Sequence, residues 1–199
     1  MRPLNTLEAR RGPRAQRGTT LVELMIALLI LSVGLGALTT LLATVVASDN
    51  KNSKDTSASL VAQMVIELIT AQHPNSSAAI TVTDCAGNTF TISTTGGASP
   101  NGAGANLVTS SSTMGYGGID QTQSFSAITS GYSMKYTDCS TVGSVGTAPT
   151  KYDVRWNVMT IDANQTRLIT ASARVSSGST QLGGQLLAFP VTLRAVGGP

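Results

Sequence analysis

Between Leu24 and Ala47 the chain carries no charged side chain, and Ser32, Thr39, Thr40 and Thr44 are the only polar ones. As a helix, those twenty-four residues rise ~36 Å, enough to cross a hydrocarbon core of ~30 Å with some tilt. Arg2, Arg10, Arg11, Arg14 and Arg17 precede the run, whereas Lys51 and Lys54 after it are offset by Asp49 and Asp55. The positive-inside rule then predicts one transmembrane pass, with the N-terminus in the cytoplasm and everything after Ala47 outside.

The same placement of charge removes a class of function. The chain of 199 residues has a net charge of +3, but residues 1–18 alone hold five arginines against Glu8. That leaves 8 cations and 9 anions over residues 19–199, so the basicity belongs to a leader and no nucleic-acid surface is expected. His73 is the only histidine, which disfavours histidine-dependent catalysis and multi-histidine metal sites. It sits beside Pro74, and no Gly-x-Ser-x-Gly elbow occurs in the chain. Two cysteines and one histidine cannot complete a four-ligand zinc site without a carboxylate. The expectation is a non-enzyme without metal or cofactor.

Beyond the span, Asp49 to Ser57 is polar but contains no proline or glycine, so nothing there breaks a helix. Leu60, Met64 and Leu68, joined by Val61, Val65 and Ile69, then recur at helical spacing as one apolar stripe. His73-Pro74-Asn75 is the stop. A single helix is expected from Thr20 to about Gln72, apolar all round in its first half and amphipathic in its second. After Pro74 the pattern turns to β, with strands expected at Ala79–Thr83, Thr89–Ser93, Tyr132–Tyr136, Lys151–Ile161, Leu168–Val175 and Leu186–Val196. In the clearest one, Tyr152, Val154, Trp156 and Val158 alternate with Asp153, Arg155 and Asn157. That apolar set is expected to pack on the helix, with a sugar-stacking face as the alternative for Tyr152 and Trp156. Thr94–Gly118, rich in Gly, Ser, Thr and Asn, reads as a long loop. The fold class is α+β: a long N-terminal helix whose outer half packs on an antiparallel sheet of four or five strands.

The segment Gly18-Thr19-Thr20-Leu21-Val22-Glu23 is set between the basic leader and the apolar run. It resembles the N-terminus of type IV prepilins. The following Ala27-Leu28-Leu29-Ile30-Leu31-Ser32-Val33-Gly34-Leu35 is most similar to the PilV-type minor pilins. The resemblance implies cleavage after Gly18 by a membrane prepilin peptidase, N-methylation of the new terminus Thr19, and pairing of Glu23 with a neighbouring subunit's N-terminal amine. Thr19 stands where the family more often has Phe or Met. The physical chemistry agrees: glycine lets the chain pass flush through a peptidase, and a carboxylate opening the helix suits its positive end. Glu23 lies near the interface, where its cost is below the ~2.5–3.5 kcal/mol of a charge at mid-bilayer.

The resemblance divides the chain into a leader at 1–18, an apolar transmembrane and assembly helix at 19–47, an amphipathic helix at 48–73 and a β-rich body at 74–199. It implies a minor pilin held in the inner membrane and then assembled into a cell-surface pilus, with the peptidase, other pilins and the assembly platform as partners. A pseudopilin of a type II secretion system and a membrane-anchored binding protein are the alternatives. An ordinary secretory signal cut after Ala47 is disfavoured, because its apolar region would be about twice the usual 7–15 residues. Cys85 and Cys139, the only cysteines, both fall outside the membrane and are expected to form one disulfide, with two free thiols as the alternative.

Overall fold

The computed structural model describes residues 20–74, 76, 78, 80–109, 116–139, 149–162, 166–176 and 189–198. One helix, α1, runs Leu21–Thr70. The chain divides into two units, one through Ala47 and one from Ser48. In the first unit every described residue is exposed, including all the large apolar side chains from Leu21 to Val46. This stretch is long and apolar enough to cross a membrane.

The second unit folds around a six-stranded sheet. A hairpin of β1 (Ile80–Thr83) and β2 (Thr89–Ile92) precedes four short strands: β3 (Gly97–Ala98), β4 (Ala103–Gly104), β5 (Leu107–Thr109) and β6 (Tyr116–Ile119). A 3-10 turn at Phe125–Ala127 leads to β7 (Ser133–Thr137), β8 (Lys151–Thr160), β9 (Arg167–Val175) and β10 (Val191–Gly197). β10, β9 and β8 are consecutive antiparallel neighbours, with Val154 opposite Ala173 and Ala171 opposite Leu193. Along its other edge β8 pairs in turn with β7, β4 and β3, the last in parallel. The architecture is α+β, with a larger and partly mixed sheet in place of the four or five antiparallel strands expected.

The pleat sorts the sheet into two faces. The inner face carries Met134, Tyr152, Val154, Trp156, Val158, Ile169, Ala171 and Ala173, all buried in one cluster with Ala58, Val61, Ala62, Val65, Ile66 and Ile69 of α1. Leu60 corrects the apolar stripe read from the sequence: it is 61% exposed, and Met64 and Leu68 are only half-buried at the cluster's edge. The seam is rotated around the helix and runs through Ala58, Ala62 and Ile66 in place of Leu60, Met64 and Leu68.

β8 shows a second departure. Its alternation implies one wet face, yet Tyr152 to Met159 are all buried. Part of Thr94–Gly118, which is not the long loop its composition suggests but contains β3 to β6, reaches the second face together with Asp120–Gln123, where the Asp120 and Gln123 carbonyls accept from Arg155. Glycine lets β4 pair closely along the edge of β8. A Cβ at Gly104, where φ is +109°, would lie 2.5 Å from the Trp156 carbonyl oxygen, and one at Gly102 would meet the Asn157 side chain. Asn157 Nδ2 then donates to the carbonyls of Asn101 (2.9 Å) and Ala105 (2.8 Å), so the buried amide is satisfied.

The other strands begin or end within a few residues of expectation. β10 starts at Val191, after Pro190, because proline has no N–H for the ladder. The expected Leu186–Val196 strand thus has its first residues, through Ala188, outside those described, as do Ala79, Asn75 and the tip of the 162–166 turn.

Candidate functional site

Two places carry the functional expectations: the start of α1, and the seat that holds its second half. At the start, Thr20 Oγ1 accepts the Glu23 N–H at 3.3 Å, and the Leu24 N–H donates to the Thr20 carbonyl at 3.2 Å. Thr20 is therefore the N-cap, with Glu23 at the third helical position, the spacing of a capping box. The Glu23 carboxylate is exposed in the first turn. A Thr-x-x-Glu motif thus has a local use in starting the helix besides any pairing between subunits, and its spacing in the sequence is the signal for it. Gly18 and Thr19 lie outside the described residues, so the cleavage and methylation positions carry no geometry here.

At the seat, two polar ties fix α1 lengthwise on the sheet. Tyr152 Oη donates to the Lys54 carbonyl at 3.3 Å. Burial pushes the Tyr152 phenol up, with smaller contributions of the same sign from Asp138 and Asp55 against a hydrogen bond to Ser57. At the far end Arg167 of β9 donates through Nη2 to the carbonyls of Gln72 (2.6 Å) and Ile69 (3.3 Å), and through Nη1 to Thr94 (3.0 Å). The last carbonyls of a helix have no partner within it and carry its negative end. The last turn of α1 contains no basic residue, so a strand supplies the cation. Arg167 is 2% exposed, and burial lowers its pKa. His73 lies in the turn beyond the helix, where its carbonyl accepts the Ser76 N–H. Sequence reading missed Arg167, because its acceptors are 73 to 98 residues away along the chain.

Cys85 and Cys139 are joined as a disulfide with Cα atoms 5.1 Å apart. The bridge links the β1–β2 turn to the residues after β7, and the same turn is held without it. Asp84 Oδ1 accepts the N–H groups of Ala86 (3.0 Å) and Asn88 (2.7 Å), closing the turn. Asp84 Oδ2 accepts the Thr137 N–H across the fold at 3.1 Å. Burial alone raises an acid, but here the hydrogen bonds from Asn88 and Thr137 together outweigh it and hold Asp84 below the usual carboxylate range.

On the outer face of the sheet, Asp153 takes both Arg155 (2.8 Å) and, from β9, Arg174 (3.1 Å). Arg155 also donates to the Gln123 carbonyl at 2.7 Å, tying the covering segment down. Asp153, Arg155 and Arg174 are thus all engaged with one another or with the covering segment. Among the described residues no three His, Cys, Asp or Glu side chains are grouped to hold a metal ion.

Compared with known families, residues 13–39 match the prokaryotic N-terminal methylation motif. The N-terminus is of the prepilin type. That motif implies processing by a prepilin peptidase and assembly with other pilins, and together with the apolar part of α1 it fits membrane anchoring. The match ends at residue 39 and so covers neither the seat nor the sheet. No curated protein and no solved structure matches the chain.

Proposed function

We propose that the chain is a minor pilin of a type IV pilus, a non-catalytic subunit anchored by its N-terminal helix until it is drawn into a fibre. The observation that carries this reading is the methylation motif at 13–39 leading straight into a helix whose apolar side chains are all exposed through Val46. Apolar surface of that extent needs lipid or like helices around it. In this reading the scissile bond is Gly18–Thr19, Thr19 is the methylated terminus, and Glu23 meets a neighbour's amine during packing. The β-rich body, seated by Tyr152 and Arg167, is the part displayed. A PilV-type role is the closer assignment, on the likeness of residues 27–35.

Two measurements test the proposal. Intact mass of protein from cells containing the peptidase is expected to show loss of residues 1–18; a mature terminus at Ser48 would overturn it. Glu23→Ala protein is expected to be cleaved and retained in the membrane but depleted from sheared fibres, because one buried charge loses its partner. Wild-type levels of that variant in fibres defeat the pairing role. A pseudopilin differs in outcome: deletion of the gene then blocks export of a secreted enzyme and leaves surface fibres intact.

A further inference from the structure

We propose that Phe189, two residues before β10, rests in the headgroup layer of the membrane that anchors the chain. The inference depends on the reading of residues 24–47 as a span and adds a second membrane contact, made by the body itself.

Distance along the chain fixes the level of Lys51. The hydrocarbon core of ~30 Å is flanked by headgroup layers of roughly 5–8 Å each. Lys51 is four residues past Ala47, the end of the uncharged run, which is ~6 Å at helical rise. Even a fully extended chain carries it no more than ~14 Å. Chain connectivity therefore keeps Lys51 at the membrane surface. The Lys51 ammonium lies 5.3 Å from the centre of the Phe189 ring, so Phe189 is held at the same level.

Phe189 is 67% exposed, a large apolar ring left in water beside Lys51. Leu60 and Val196, the two next most exposed large apolar residues described in the body, are placed differently. Leu60 is thirteen residues past Ala47, ~20 Å along a helix. Val196 lies at the opposite end of β10, next to Gly197, where a Cβ would sit 3.5 Å from the Thr70 side chain. An aromatic ring with a lysine over its face is also the pairing that suits the interface. The ring takes the apolar side, and the lysine stem lies along it with the ammonium in water.

The test uses the full chain in vesicles of phosphatidylethanolamine and phosphatidylglycerol. Trp156 is the only native tryptophan and is fully buried, so its emission reports folding and is expected to ignore lipid quenchers. The variant Phe189→Trp adds an indole at a surface position. Its emission is expected to shift to the blue, to be largely lost when the lipids are brominated near the headgroup end of their chains, and to resist aqueous iodide. Ready quenching by iodide without quenching by brominated lipid, in chains that still float with the vesicles, overturns the proposal and leaves the span intact. Resistance to both quenchers places a protein neighbour over the ring and also overturns it. Chains that do not float with the vesicles overturn the span and this contact together.

Discussion

Arg167 donates to the Gln72 carbonyl at 2.6 Å, across 95 residues of sequence, and so closes the C-terminal end of α1 with a side chain from β9. Tyr152 does the equivalent at Lys54. Between them the buried seam of Val61, Val65 and Ile69 is apolar and non-directional, and such a surface could slide by a helical turn at little cost in area. Hydrogen bonds at both ends of the seam remove that freedom, because a shifted helix leaves the buried Arg167 guanidinium and the Tyr152 hydroxyl without partners.

Arg167→Met is expected to destabilise the body by about 2–3 kcal/mol, the scale for charge-assisted hydrogen bonds lost with their acceptors left buried. Arg167→Lys is expected to recover only part, since an ammonium lacks the planar fork that reaches acceptors on both α1 and Thr94. Urea unfolding of the full chain in detergent, followed by Trp156 emission, measures both. Equal stability of Met and Lys variants to the native chain would remove Arg167 from this role.

The two apolar positions Ile69 and Leu60 separate the observed seam from the one read off the sequence. Ile69 is fully buried and Leu60 is 61% exposed. Ile69→Ala is expected to cost about 2–5 kcal/mol, and Leu60→Ala to fall within about 0.5 kcal/mol of the native chain. Paired unfolding curves decide, and a large loss at Leu60 would restore the stripe read from the sequence.

Asp84 predicts a pH dependence of definite sign. Its pKa is lower folded than unfolded, so its contribution is fully present above the unfolded value of about 3.9 and is lost as pH falls through the lower folded value. Melting temperatures taken from neutral pH down into this acid range should drop less steeply in Asp84→Asn than in the native chain. Parallel profiles would mean that other carboxylates carry the acid response.

The disulfide and the Asp84–Thr137 hydrogen bond close the same loop and should be partly redundant. Non-reducing peptide mapping is expected to recover Cys85 linked to Cys139. Replacing both by serine removes at most about 4 kcal/mol on the chain-entropy model for a loop of this length. With Asp84 also changed to alanine the losses should exceed the sum of the single effects, because either tie holds the turn when the other is lost. Simple additivity would show the two to be independent.

How much of this was legible beforehand follows the range of each interaction. The apolar run from Leu24 to Ala47, the flanking arginines, the Thr20–Glu23 spacing and the helix through Thr70 are local, encoded in neighbours or in a 3.6-residue period. They can be read without knowing what any residue touches. So can the alternation of Tyr152, Val154, Trp156 and Val158, since a pleated strand separates neighbouring side chains whatever surrounds it.

What lies against each face is another matter. Leu60 and Val61 are both apolar and adjacent, and only the line along which the sheet meets the helix buries one and exposes the other. Asp153, Arg155 and Asn157 read as a wet face, yet the carbonyls of Asn101, Ala105, Asp120 and Gln123 meet Arg155 and Asn157 there and bury them. Arg167 reads as a surface charge until β9 brings it under the end of α1. Sequence by itself determined the long helix, its apolar run and the longer strands, because periodicity and charge order act along the chain. Tertiary structure decided which polar groups are buried and with whom, because those partners lie as many as 98 residues apart and exist for one another only once the sheet has formed.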